Sequence, residues 1–185
     1  MRVKTKMIYN YLESIQKWGN HYNLSKAIES GQFFKIDAGL YSDIDTVKDI
    51  EIFLKKHNKA VFTMESALYY LGISDYVPNQ YVIALDRDST KYKDGCKQFF
   101  MENDILHLGE ITINYNGVLI PVFNKERMLI EVVRYKTKLP FDYYKEVISY
   151  YRNHISDIDM SLVLDYLKFF PKKKLITRII QSEVI

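Results

Sequence analysis

A single cysteine, Cys96, excludes an internal disulfide and any cysteine-based zinc site, and it fits a reducing compartment. Only 7 glycines and 4 prolines occur in 185 residues, so most of the chain reads as regular structure without a low-complexity linker. No apolar run approaches the length of a bilayer span, and the opening MRVKTKMIYNYLES lacks the apolar core of a signal peptide. These absences predict a cytoplasmic protein with no membrane partner. Charge of one sign is not in large excess either. Lys and Arg number 26 against 23 Asp and Glu, a formal +3, which permits nucleic acid or another anionic partner without requiring one.

Motifs that carry chemistry are missing too. His21, His57, His107 and His154 have no metal-ligand spacing, and no HExxH, GxSxG, P-loop or GxGxxG occurs. Acidic pairs one residue apart do occur, at Asp43/Asp45, Asp86/Asp88 and Asp157/Asp159. On a strand such a pair can hold Mg²⁺ for nucleotidyl transfer. That chemistry usually adds a Gly-Ser turn to grip the nucleotide, and the chain has no Gly-Ser dipeptide. Glu-x-Lys, which one nuclease type requires, is absent as well. The acids therefore read as turn residues and helix caps, with no enzyme, cofactor or metal expected.

What is present is apolar and aromatic: 48% hydrophobic residues and 16 tyrosines, ample for a core and suited to interfaces. Ile8, Leu12 and Ile15 recur at helical spacing and predict a helix from Thr5 to about Trp18, stopped by Gly19-Asn20. A second helix fits Tyr22 to Ser30, with Leu24, Ala27 and Ile28 inward and Gly31 just past its end. A β-ribbon follows, roughly 32–36 and 39–42, turning at Gly39. Thr46 to His57 reads as a helix, and Thr63 is placed to cap a short one that ends at Gly72. Strands are predicted at Tyr81–Leu85 and Gln98–Met101, and Asn116-Gly117 marks a hairpin in EITINYNGVLIPVFN. Helices are expected near 125–135, 142–155, 160–170 and 172–183, with Tyr143, Val147, Tyr151 and Ile155 along one face of the second. Strands followed by helices predict an α+β fold with a small helical module in front and a boundary near residue 44.

Two charged clusters stand out. In NKERMLIEVVRY, Glu126, Arg127, Glu131 and Arg134 are set into an apolar helix. Arg127 meets Glu131 at four residues and Glu131 meets Arg134 at three, which reads first as a structural ion cluster and second as a binding site. Lys168, Lys172, Lys173, Lys174 and Arg178 form a basic group near the end. It is either a solvated helix face or a surface for RNA or an acidic protein face.

The order of these segments resembles the AbiEi family of antitoxins, from type IV abortive-infection toxin–antitoxin systems. The likeness runs from about residue 20 onward. Gly31 and Gly39-Leu40-Tyr41 match the family's ribbon, Ser66-Ala67-Leu68 and Gly72 its Ser-Ala-Leu helix, and Glu126-Arg127 with Leu129 its Glu-Arg-Thr-Leu motif. Met128 stands in place of the usual Thr, and Glu131 where Asp is common. The resemblance implies a winged helix-turn-helix over 1–43 and an α/β antitoxin domain over 44–185 ending in helices. It implies an autorepressor that binds inverted repeats in its own promoter and also neutralises a nucleotidyltransferase-like toxin without a stable complex. Ser66, Glu126, Arg127 and Glu131 would belong to the antitoxin-domain motif. In the front module Asn20, His21, Asn23, Ser25, Lys26 and Lys35 would face DNA, joined by Arg2, Lys4 and Lys6. The alternative is an antitoxin or protein-interaction module whose degenerate winged helix no longer reads DNA.

Overall fold

The computed structural model describes residues 7–93 and 95–185, so Arg2, Lys4 and Lys6 lie outside the described residues. The fold is α+β, in two compact units, one ending at Asn58 and one running from Lys59 to Ile185.

The first unit opens on strand β1 (Ile8–Asn10), which leads into helix α1 (Tyr11–Trp18). This corrects the single helix expected from the spacing of Ile8, Leu12 and Ile15. Asn10 is the reason. Its side chain accepts the Glu13 N–H (2.9 Å) while the Glu13 carboxylate accepts the Asn10 N–H (2.7 Å), a reciprocal cap that fixes the helix start. Ile8 and Tyr9 are then free to pair with Ser42 and Tyr41, and Leu12 is left 71% exposed. Gly19, at φ +85°, turns the chain, and helix α2 (His21–Glu29) starts after Asn20. Gly31, at φ +69°, closes α2, with Gln32 N–H donating to the Ala27 carbonyl (2.9 Å). Strands β2 (Phe34–Asp37) and β3 (Leu40–Ser42) form the ribbon, and β1 completes an antiparallel sheet of order β1-β3-β2.

Phe33 is the centre of this unit's core. Its ring lies 5.4 Å from Tyr9, 5.8 Å from Trp18 and 5.9 Å from Tyr41, with Leu24 and Ala27 buried beside it. Helix α3 (Asp49–Lys56) also belongs here, which moves the boundary from the expected residue 43 to residue 58. Lys55 pairs with Glu13 on α1 (2.7 Å) and Lys56 with Asp37 on β2 (2.7 Å). Those hydrogen bonds, from Lys55 and Lys56 respectively, are the main reason that Glu13 and Asp37 sit below the usual carboxylate range. A depressed carboxyl stabilises above its unfolded value, near 4, and that contribution is lost as pH falls through the folded value. Amide protection factors in α3 are therefore expected to fall below about pH 4 ahead of those in α1. Protection in α3 that persists alongside α1 down to about pH 3 would show that the pairs do not hold the helix.

In the second unit, β4 (Val61–Phe62) and helix α4 (Met64–Tyr70) precede β5 (Val82–Asp86), β6 (Lys97–Met101) and the short helix α5 (Asn103–Leu106). The hairpin β7 (Glu110–Tyr115) and β8 (Val118–Phe123) then turns at Asn116-Gly117, both at positive φ (51° and 83°). That conformation is the one that matches strand twist in a two-residue loop. The five strands form one mixed sheet of order β6-β5-β4-β8-β7. Helices α6 (Lys125–Arg134), α7 (Phe141–Asn153), α8 (Met160–Leu167) and α9 (Lys173–Glu183) follow. On α7 the buried face is Tyr144, Val147, Ile148 and Tyr151, which keeps Val147 and Tyr151 of the face expected and adds Tyr144 and Ile148, while Ile155 lies in a separate 3₁₀ turn.

Helix α6 decides the interior. Every residue from Arg127 to Val133 is buried, so it is enclosed on all sides rather than on one stripe. A helix in that position must satisfy any charge it carries internally.

Candidate functional site

The first candidate surface is the outer side of α2 and the ribbon. Asn20 is exposed but occupied: its side-chain oxygen accepts the Asn23 N–H (2.9 Å) as the cap of α2. Asn23 in turn donates its side-chain amide to the Trp18 carbonyl (3.1 Å), closing the end of α1. Both asparagines thus build the turn between the helices, and Asn23 keeps its amide oxygen for a ligand. His21 is exposed, Ser25 half-buried, and Lys26 exposed with its ammonium 4.8 Å from the Tyr22 ring centre. Tyr22, which sequence reasoning passed over, is 65% exposed beside Lys26. An open groove of about 690 Å³ runs below, lined by Trp18, Asn23, Lys26, Ser30 and Gln32 among others.

Electrostatics here are nearly balanced. Residues 7–58 hold six lysines, no arginine and seven acids. Lys17 is bound to Asp43 (2.5 Å) and to the Tyr9 hydroxyl (2.9 Å). Burial would lower its pKa, but those two partners outweigh burial and raise it above the usual lysine value. Lys55 and Lys56 are committed to α3. Lys26 and Lys35, both exposed, form no ion pair among the described residues, so they are two cations available to a phosphate.

The second candidate is the charged cluster on α6. Arg127 is fully buried, and each of its three side-chain nitrogens donates a hydrogen bond. Nε donates to Glu131 (2.9 Å), one terminal nitrogen to the Ile105 and Leu108 carbonyls (2.8 and 3.2 Å), and the other to the Met101 sulfur (3.3 Å) while lying 2.7 Å from the Glu131 carboxylate as an ion pair. The guanidinium lies between the rings of Phe123 and Phe170, 4.6 and 4.5 Å from their centres. Burial pulls its pKa below the usual arginine value, against the pull of Glu131. Glu131, also fully buried, takes a second cation in Arg134 (2.7 Å). Glu126 accepts the Asp159 N–H (3.2 Å) and so ties the start of α6 to the start of α8. Ser66 accepts the Val82 N–H (2.8 Å), tying α4 to β5. The cluster fixes α6 against the sheet and the α5–β7 turn, and Arg127 has no exposed surface for an outside ligand.

No protein-family model and no curated protein matches the sequence. A solved structure at low sequence identity shares the fold. It is the crystal structure of the RV2827C protein from Mycobacterium tuberculosis, with a TM-score of 0.63 and 12% identity, covering 96% of this chain and 72% of that one.

The remaining sequence candidates have structural roles. Asp86 accepts the Asp88 N–H (2.8 Å) in a turn, and Asp159 caps α8 through the Leu162 N–H (3.0 Å). Among the described residues no group of three or more His, Cys, Asp or Glu is placed to hold a metal ion. Gly109 was not visible as special in the sequence. A Cβ there would stand 2.8 Å from Arg127 Cβ and 2.9 Å from the Asn124 side-chain oxygen. A glycine that makes room for an arginine side chain has no pattern signal, because the constraint comes from a residue on another element.

Proposed function

We propose that the first unit is a winged helix-turn-helix that binds promoter DNA, and that the chain is an autorepressing antitoxin of the AbiEi kind. The observation that supports this best is the connectivity of residues 8–42. A strand, two short helices joined by a tight Gly19-Asn20 turn, and a two-stranded ribbon form a sheet of order β1-β3-β2. In such a module α2 enters the major groove and the β2–β3 ribbon is the wing along the flanking backbone. Helix α3 follows the ribbon in the chain and is tied to α1 through Lys55 and to β2 through Lys56. The antitoxin half rests on the resemblance of Ser66-Ala67-Leu68 and Glu126-Arg127 alone, with a nucleotidyltransferase-like toxin as functional partner.

The charge balance favours a second reading, a protein-interaction module that no longer reads DNA. A mobility-shift titration of the whole chain on its own promoter and on random DNA, at two salt concentrations, separates them. Preference for the promoter is expected. Replacing Lys26 and Lys35 together by alanine should weaken binding to all sequences and lower the salt slope by about two. Equal binding to promoter and random DNA would leave the second reading standing. For the antitoxin half, residues 59–185 expressed with the cognate toxin are expected to reduce its toxicity. A fragment that folds yet gives no rescue, while the whole chain does, would refute that division of labour.

A further inference from the structure

Helices α8 and α9 leave a groove between them that changes character along its length. At one end is an apolar notch of about 130 Å³, walled by Met160, Val163, Leu164, Ile180 and Ile185. Toward the start of α9 it opens into a shallower trough of about 420 Å³ that shares Leu164, Leu167, Thr177 and Gln181 with the notch. The trough is lined by Lys168, Lys173, Lys174 and Arg178, and by no acid. Lys168 is held by Asp165 (2.6 Å), whereas Lys173, Lys174 and Arg178 form no ion pair among the described residues. The apolar wall is not closed off: Leu164 is 52% and Ile185 73% exposed.

Each helix contributes a regular row. Met160, Val163, Leu164 and Leu167 stand at i, i+3, i+4 and i+7 on α8, and Lys174, Arg178 and Gln181 at i, i+4 and i+7 on α9. The groove is held ready. Glu183 at the far end of α9 binds Lys136 and accepts from the Tyr144 hydroxyl (2.6 Å), and its backbone carbonyl accepts from Arg152. Burial would raise the Glu183 pKa, but Lys136 and Tyr144 outweigh it and hold the carboxyl below its usual range.

We propose that this groove docks an acidic amphipathic helix of a partner protein. One aliphatic side chain enters the notch, and carboxylates one and two turns away meet Lys174, Arg178 and Lys173. Size and charge select this occupant. The notch is well below the roughly 300–1,000 Å³ of small-molecule sites, yet suits a single anchoring side chain. A nucleic-acid backbone would neutralise the cations but leave Leu164, Ile185 and the notch uncovered, whereas a helix with an apolar stripe covers both ends. Cations that no acid faces supply the complementary charge.

Fluorescence anisotropy on the whole chain tests this with labelled synthetic helices about four turns long, carrying leucines at i, i+3, i+4 and i+7 and glutamates between them. The striped peptide is expected to bind saturably, and a scramble of the same composition at least about tenfold more weakly. Leu164→Ser, and Lys174→Glu with Arg178→Glu, should each weaken the striped peptide at least about tenfold at unchanged melting temperature. Three outcomes overturn the proposal: no saturable binding, equal binding of the scramble, or displacement of the peptide by oligothymidine with no effect of Leu164→Ser. The last would mark a general polyanion surface.

Discussion

Glu131→Ala is expected to destabilise the second unit by about 3–5 kcal/mol, the range for removing one member of a fully buried ion group. Glu131 is the single acid between two arginines, 2.7 Å from each. Without it Arg127 keeps its two carbonyls and two aromatic rings but has no counter-charge, and it has no route to water. Arg134 then faces Arg127 as a like charge. Arg134→Ala is the informative contrast. Its side chain is 24% exposed and Glu131 keeps Arg127 on one oxygen while the other loses its donor, so a smaller loss of about 1–3 kcal/mol is expected. Arg127→Ala should fall between, because Glu131 still has Arg134 while the Ile105 and Leu108 carbonyls lose a donor and a cavity opens between Phe123 and Phe170. Urea midpoints for the three variants test the order. An unchanged midpoint for Glu131→Ala, or a larger loss for Arg134→Ala, would contradict the buried cluster as the anchor of α6.

Gly109→Ala is expected to lose about 2–5 kcal/mol by two separable mechanisms. At φ +76° an alanine carries the left-handed penalty, about 1–2 kcal/mol. Its methyl would also stand 2.8 Å from Arg127 Cβ and 3.1 Å from the Tyr166 ring, so α6 or the α5–β7 turn must shift, at roughly 1–3 kcal/mol. Gly72→Ala isolates the first mechanism. Gly72 has a similar φ of +69° with nothing within 4 Å of its would-be Cβ, so it should show the backbone penalty alone. Thermal or urea unfolding of the two variants side by side gives the difference. If they lose equal stability, the close approach to Arg127 has no energetic weight.

Local chemistry made much of the architecture legible in the sequence. The Asn116-Gly117 turn needs positive φ at two adjacent residues, and few dipeptides other than this allow it, so the β7–β8 hairpin follows from composition. Gly31 after α2 and Gly39 in the ribbon work in the same way. The charges of α6 were equally legible as pairs, since spacings of three and four residues bring side chains together on any helix. Their depth was not. Arg127 is buried because Phe170, 43 residues away, and the carbonyls of Ile105 and Leu108 close over it, and no periodicity in the helix itself records that.

The clearest misreading is at the other end of the chain. Ile8 fits a helical stripe, yet it pairs with Ser42, because the reciprocal cap at Asn10 and Glu13 stops the helix and β3 offers a free edge. A three-residue strand carries too little pattern to be seen without its partner. Helix α3 reads correctly as a helix but not as part of the first unit, since its fastening acids, Glu13 and Asp37, lie far back in the chain. The sequence by itself determined element type and turn position, which depend on neighbours within a few residues. Only the tertiary structure decided the short strand β1, the boundary at Asn58, the enclosure of Arg127 and the glycine at 109. Each of these depends on contacts between residues distant in the chain, whose energies leave no repeat to read.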